Sequence, residues 1–309
     1  MLYFIARRIL IAIPVMLLII AMAFFMMRLA PGGPFTSERK LPPEIEANML
    51  AAYDLDKPVH IQFVRYVGNV LQGDFGPSYK YKDFTVNELI ARGAPVSIKI
   101  GVIAIFLAFT IGVFLGTIAA LKQNSGIDYA VMAVAMTGIT VPPFVVAPLL
   151  TLFFGVYWGL LPVSQWNGGA WQNILLPITA LSLPYIAYIA RLTRGGMIEV
   201  LRSNYVRTAR AKGLSEFTVV RRHAMRAGLM PLVSFIAPAT AGIVTGSLVI
   251  EQIFGLPGIG RYLVIGSLQR DYPLVLGIVI LYSGLIITLN IIADVAYGVL
   301  DPKIKLGRG

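Results

Sequence analysis

From Tyr129 to Ala190 the chain runs 62 residues without an Asp, Glu, Lys or Arg. Soluble domains average about 25% charged residues, so such a run does not belong on a water-exposed surface. It is also too long for one crossing of a bilayer, which needs about 20 apolar residues in a helix. A polar, turn-rich break at Pro162–Asn173, with Trp166-Asn167-Gly168-Gly169, divides it. Two spans are expected, near 129–157 and 173–191.

The same criterion finds four more spans. They are Ile9–Met27, Ile100–Leu121, Ala227–Ile250 and Tyr272–Ala293, the last continuing to about Val299. The fold class expected is an all-α membrane protein with six transmembrane helices. Span one follows Arg7-Arg8, as a signal peptide would. Its apolar run is longer than a signal core, and Met27-Arg28-Leu29-Ala30-Pro31 offers no small-residue cleavage site. It is expected to stay in the protein.

Charge sets the expected orientation. Six spans put both termini on one side, together with 122–128 and 191–226. Residues 1–8, 122–128, 191–226 and 300–309 hold 15 basic and four acidic side chains, a net of +11. The rest of the chain holds 11 of each sign. The whole excess therefore lies on one side, the signature of a cytoplasmic face. Nucleic-acid binding is not needed to explain it.

The expected layout has four parts. Residues 1–29 are the N-terminus and first span. Residues 30–96 are a periplasmic loop with short helices, one starting at Leu41-Pro42-Pro43-Glu44 and continuing to Tyr53. A second is an amphipathic Val59–Leu71 with Phe63, Val64 and Val67 on one side. Residues 97–299 are a five-span core containing the cytoplasmic loop 192–228, and 300–309 are a tail.

Several chemistries are excluded. There is no cysteine, so no disulfide framework, thiolate metal site or thiol nucleophile. His60 and His223 are too few for a histidine-based zinc site. No G-x-x-x-x-G-K-[ST] phosphate loop, H-E-x-x-H pair or G-x-S-x-G turn occurs. The chain is expected to bind no cofactor or metal and to catalyse no reaction.

Inside the spans lie Pro14, Pro142, Pro143, Pro148, Pro177, Pro184 and Pro238. Kinked helices are tolerated where neighbours or cavity water satisfy the freed backbone. Gly112-x-x-x-Gly116 allows close helix approach. Glu251 and Asp294 are the ionisable groups in or near span ends, and Asn290 shares a helical face with Asp294. With Phe254 they are candidates for a gate or path lining. The alternative is an interfacial acid pinning a helix end. No chain of acids and histidines suggests a proton relay.

The loop segment Tyr205-Val206-Arg207-Thr208-Ala209-Arg210-Ala211-Lys212-Gly213-Leu214 reads as a short helix. Ser203-Asn204 offers caps, Arg207, Arg210 and Ala211 share a side, and Gly213 can end it in a left-handed conformation. A second helix follows, with Phe217, Val220 and Met225 among its apolar positions. Such a helix–Gly–helix is either a docking knob for a cytoplasmic partner or an anchor on anionic lipid. The residues alone leave both open.

This loop resembles that of bacterial ABC importer permeases, in the oligopeptide/dipeptide branch. In most of these permeases it opens with Glu-Ala-Ala and has Gly four residues after the second Ala. Ala209 and Gly213 match, while Arg207 and Thr208 replace the Glu and first Ala. The ending also differs, with Arg222-His223-Ala224 and a later Pro231. The resemblance extends over nearly the whole chain. It includes Tyr3–Arg8, Gly73-Asp74-Phe75-Gly76, and Glu251-x-x-Phe254-Gly255-Leu256-Pro257-Gly258-Ile259-Gly260. It also includes Arg270-Asp271-Tyr272-Pro273, Asn290, Asp294, Tyr297 and Asp301-Pro302. Pro34-Phe35-Thr36, Tyr79-Lys80-Tyr81-Lys82-Asp83 and Trp166-Asn167-Gly168-Gly169 look most like the oligopeptide permeases.

The resemblance implies a type I importer permease in the bacterial inner membrane. The implied partners are a homologous second permease, two ATPase subunits that carry ATP and Mg, and an extracytoplasmic peptide-binding protein. It implies that Tyr205, Arg207, Thr208, Ala209, Arg210, Ala211, Lys212, Gly213 and Leu214 couple to an ATPase. Within the family the alternatives are dipeptide, nickel or glutathione import. Outside it they are a stand-alone carrier and a membrane-embedded enzyme using Glu251 and Asp294.

Overall fold

The computed structural model describes residues 2–29, 33, 50 and 54–300. The expected helix at 41–53 apart from Leu50, Pro34-Phe35-Thr36, Asp301-Pro302 and the 300–309 tail beyond Leu300 lie outside the described residues, as does the Tyr297 side chain.

The described residues are almost entirely helical. In order the helices are α1 (Leu2–Leu29), α2 (Val59–Leu71), α3 (Val86–Leu121), α4 (Gly126–Thr140) and α5 (Pro143–Leu150). Helix α5 continues as a π-helical turn, Thr151–Tyr157. Then come α6 (Trp171–Leu201), α7 (Asn204–Ala211), α8 (Glu216–Thr218), a π-helical Val219–Ala224, α9 (Met225–Gly228), α10 (Met230–Ile253), α11 (Ile259–Leu268) and α12 (Tyr272–Leu300).

Among the described residues five helices are long and apolar enough to cross a membrane: Ile5–Leu29, Val86–Leu121, Trp171–Leu201, Met230–Ile253 and Tyr272–Val295. The sixth expected span, 129–157, is not one helix. Helix α4 and the segment Pro143–Tyr157 meet at 102°. The cause is local. Val141 takes an extended ψ of 117°, Pro142 caps the next helix and Pro143 is its first residue. A residue before proline is pushed out of helical space, and two prolines remove two successive N–H donors.

Helix α3 begins at Val86, well before its apolar run, because Thr85 and Glu88 form a capping box. The Glu88 N–H donates to Thr85 Oγ1 at 3.3 Å, and the Thr85 N–H donates to Glu88 Oε2 at 2.9 Å. At 36 residues the helix is about 54 Å long, far more than a bilayer core requires.

By internal contacts the described residues form two compact units, those of Ser97–Leu256 with Thr288 to Leu300, and those of Leu2–Val96 with Pro257–Ile287. In the first, α6 is central: 61% of its apolar window is buried inside the protein. Helix α3 lies against it through Gly112 and Gly116. A Cβ on Gly112 would meet Ile189 Cγ2 at 2.7 Å and the Ile186 carbonyl at 2.9 Å. A Cβ on Gly116 would strike the Ala190 carbonyl and Thr193. The small-residue spacing thus does what it allows in membranes, bringing two backbones together. Helix α4 is also joined to α6: Asp128 is 1% exposed and accepts from Arg194 Nε and Nη2, both at 2.6 Å.

The second unit is organised around Asp271, the N-cap of α12, which is fully buried. Its carboxylate accepts from the Ser78 hydroxyl and from the N–H groups of Tyr79 at 3.0 Å, Lys80 at 3.3 Å and Leu274 at 3.4 Å. The segment Ser78–Lys80 is thereby fastened to the start of the last span. Asp271→Ala removes the cap and leaves buried donors unpaired. We expect a loss of at least about 2 kcal/mol, read as a lower thermal midpoint in detergent. Asp271→Asn, whose amide oxygen still accepts, should lose less.

Candidate functional site

The loop that leaves α6 is built by backbone rules. Ser203 has extended backbone (φ −67°, ψ 153°) and starts α7, although its hydroxyl caps nothing and is buried without a hydrogen-bond partner. The side-chain cap expected from Ser203 is therefore not made. At the other end Gly213 sits at φ +79°. Its N–H donates to the Arg210 carbonyl at 2.9 Å, and the Leu214 N–H donates to the Ala209 carbonyl at 3.4 Å. This pair of bonds is the Schellman ending, which needs the left-handed conformation that glycine supplies.

Helix α7 buries two side chains, Val206 and Ala209, against Val219, with Val200 and Leu201 packed beside them. Ala209 therefore serves close approach to the chain's own next segment. The other eight candidate coupling residues, Tyr205, Arg207, Thr208, Arg210, Ala211, Lys212, Gly213 and Leu214, are all exposed. Arg210 reaches across the Gly213 turn to Glu216, with Nε–Oε1 at 2.7 Å and Nη2–Oε2 at 3.2 Å. Both groups face water, so the bond holds the turn's shape more than it adds stability.

A second sequence expectation fails here. Phe217, read as an apolar position of the second helix, is 73% exposed. Val219 and Ala224 take the buried positions instead. The π-helical stretch Val219–Ala224 shifts the angular register, so 3.6-residue counting picks the wrong face. The result is an outward surface of Tyr205, Leu214 and Phe217 among Arg207, Arg210, Lys212, Arg221 and Arg222, all exposed.

The second set of candidates divides. Glu251, in the last turn of α10, is 0% exposed. The hydroxyls of Ser97 and Ser247 both donate to its Oε1 at 2.7 Å. It is thus enclosed in protein. Ser247 lies one helical turn earlier and was legible from spacing. Ser97 lies 154 residues away and carried no local signal. Phe254 is also buried, and its carbonyl accepts from the Gln165 N–H at 3.1 Å. Beside this, Lys99 Nζ donates to the Gly169 carbonyl at 3.0 Å and lies 5.4 Å from the Trp166 ring. The turn Trp166–Gly169, read as a break between spans, is thereby held to α3. Asn290 on α12 is exposed and Asp294 is half-buried. Among the described residues no group of three or more His, Cys, Asp or Glu could hold a metal ion.

Known proteins with these features agree with one another. Residues 112–306 match the family described as binding-protein-dependent transport system inner membrane component, and residues 1–86 match its N-terminal family. The oligopeptide transport system permease protein OppB of Escherichia coli K12 is 56% identical over 99% of this chain and 100% of its own length. The dipeptide transport system permease protein DppB of Bacillus subtilis is 43% identical over 94% of each chain. A chain of the MetNI methionine ABC transporter in inward-facing conformations superposes with a TM-score of 0.57. It is 18% identical and covers 69% of this chain and 96% of that one. The fold is that of a type I ABC importer permease, and the chain belongs to the binding-protein-dependent transport system inner membrane components, as a multi-pass protein of the bacterial inner membrane.

Proposed function

We propose that this chain is one of two permease subunits of an ATP-driven oligopeptide importer. The observation that carries the proposal is full-length identity of 56% to OppB, against 43% to the dipeptide permease DppB. Dipeptide import is the second reading, on the strength of that relative.

In this account both termini are cytoplasmic, as the one-sided excess of Lys and Arg supports. The chain pairs with a homologous permease, so each supplies half of the path. Two separate ATPase subunits bind ATP and Mg and hydrolyse the nucleotide; this chain binds no cofactor itself. An extracytoplasmic protein delivers the peptide. The described outer segments within 54–96 and residues 251–270 are the proposed region for meeting it and closing the outer gate.

Helix α7 and its Gly213 turn fit into a groove of one ATPase. Moving a two-state bundle from 1:99 to 99:1 takes about 5.5 kcal/mol of differential binding. A helix pinned by Val206, Ala209 and a Schellman turn can transmit it as a rigid lever. The Arg that stands at position 207 in place of the family's Glu removes any contact that Glu makes. The apolar surface of Tyr205, Leu214 and Phe217 is available in its stead.

Two expected results test the coupling. Gly213→Val forces a β-branched residue to φ +79°, a conformation costing about 1–2 kcal/mol or more. Arg210→Glu breaks the bond to Glu216 and sets two acids together. Each should cut peptide uptake at least tenfold while the protein inserts at normal levels. Normal uptake by both variants would remove the lever. Affinity purification of the tagged chain followed by mass spectrometry should recover two ATPases and a second permease. Recovery of the chain alone, with uptake intact, would favour a stand-alone carrier.

A further inference from the structure

The second unit, Leu2–Val96 with Pro257–Ile287, holds a cavity of about 210 Å³. It lies where two spans end. Arg28 is in the last turn of the span Ile5–Leu29, and Tyr272 begins the span Tyr272–Val295. Both therefore stand at the level where a bilayer's core gives way to its headgroups.

The walls carry unspent hydrogen-bonding capacity. Arg28 lies over two rings, 5.1 Å from the centroid of Phe24 and 5.3 Å from that of Tyr272. It is half-buried, and among the described residues its guanidinium has no carboxylate partner and makes no hydrogen bond. An arginine at a span end ordinarily snorkels to water. This one is folded onto aromatics and lines the cavity. Gln62 is only 8% exposed; its Nε2 donates to the carbonyls of Lys57 at 2.7 Å and Leu55 at 3.3 Å. Its Oε1 is buried with no partner, as is the Tyr66 hydroxyl, and both residues line the cavity. Burial raises the Tyr66 phenol well above its ordinary pKa, so it stays an O–H donor. Buried polar atoms without partners are uncommon and costly, and two in one cavity, beside a guanidinium with no carboxylate among the described residues, point to a ligand.

The donors and acceptors fix its chemistry. Arg28, the Tyr66 hydroxyl and the Asn69 amide offer N–H and O–H groups to an anion. Gln62 Oε1 accepts from an N–H, while the Asp54 carboxylate in the same wall is already paired with Lys57 and Arg65. The ligand thus carries a phosphate-like anion and an ammonium. The volume is below the 300–1,000 Å³ of pockets that swallow a whole drug-sized molecule, and suits a small headgroup. Helix α1 offers its length to acyl chains: Leu10, Leu18, Met22 and Met26 are exposed, and only 11% of its apolar window is buried. We propose that this cavity binds the headgroup of one zwitterionic phospholipid with a primary ammonium, a phosphatidylethanolamine. Its phosphate lies on Arg28 and Tyr66 and its ammonium on Gln62 Oε1.

The test is native mass spectrometry of the purified full chain. It is delipidated and then titrated with phosphatidylethanolamine, phosphatidylcholine or phosphatidylglycerol of matched acyl chains. One phosphatidylethanolamine should be retained in preference to the other two, since phosphatidylcholine has no N–H for Gln62 and phosphatidylglycerol has no ammonium. Arg28→Ala should weaken retention about tenfold or more. Tyr66→Phe deletes only an unpartnered hydroxyl, so the lipid-free protein should melt no lower while retention falls about fivefold. Equal retention of the three lipids overturns the proposal, as does preference for phosphatidylglycerol or indifference to Tyr66→Phe. So does an Arg28-dependent site that holds a tripeptide in place of any lipid. These results bear on the cavity alone and leave the importer assignment to its own tests.

Discussion

Replacing Gly116 by leucine should abolish the packed core of Ser97–Leu256. A Cβ at this position runs into the Ala190 carbonyl and into Thr193 Cβ at 2.7 Å. The obstacle is backbone, which cannot swing aside as a side chain can. Helix α3 must then move off α6, losing the Ile186–Thr193 seam along its length. Overfilling a packed core ordinarily costs about 1–3 kcal/mol, and a fixed backbone obstacle puts this change at the top of that range or beyond it. Gly112→Val should act in the same direction through Ile189 and the Ile186 carbonyl. The control is Gly195→Ala in α6, where no atom lies within 4 Å of the added carbon. Alanine is the better helix former, so this variant should be neutral or gain up to about 1 kcal/mol. The check is size-exclusion profile and thermal midpoint of the purified proteins. Leucine at 116 should give aggregate or a midpoint lower by many degrees; a monodisperse protein of normal midpoint would mean the two helices do not touch as described.

The second large effect is expected at Asp128. Its carboxylate is enclosed, takes both guanidinium bonds of Arg194, and accepts from the Asn124 N–H at 2.9 Å. Removing one partner of such a pair leaves the other charge stranded, at a cost of about 3–5 kcal/mol. Arg194 is 27% exposed and can recover some water, so Asp128→Ala should fall near the lower figure. The location gives this pair a functional reach. Arg194 sits two turns before the end of α6, and the end of α6 aims α7. Asp128→Ala should therefore lower both thermal midpoint and peptide uptake. The double variant Asp128→Ala, Arg194→Ala should be less destabilised than the sum of the two single changes, since the pair is then lost together. Strict additivity would show that the ion pair carries no coupling.

Much of this was legible in the chain itself, for reasons that differ by feature. Five long helices follow from runs without charge, because desolvating a charge in lipid is costly wherever it falls. The bend was written in Val141-Pro142-Pro143, yet apolarity alone continued across it. Gly112 and Gly116 announced a close crossing by their spacing, but the partner helix, 70 or so residues on, leaves no mark at the glycines. The Gly213 ending was legible because its left-handed conformation is a local requirement. The exposure of Phe217 was not, since a π-helical turn changes the period that counting assumes. Glu251 drew attention as an acid among apolar residues. That it is held by Ser97 depends on tertiary packing between residues far apart in the chain.

The central claim is that this chain conducts peptides only when driven through α7 by ATPases it does not contain. The most direct measurement is accumulation of a labelled oligopeptide in proteoliposomes holding the co-purified complex and its binding protein. The account predicts accumulation that requires ATP and is lost at least tenfold with Gly213→Val, the assembled complex being retained. Accumulation at the same rate by this chain alone, without ATP or partners, would contradict it.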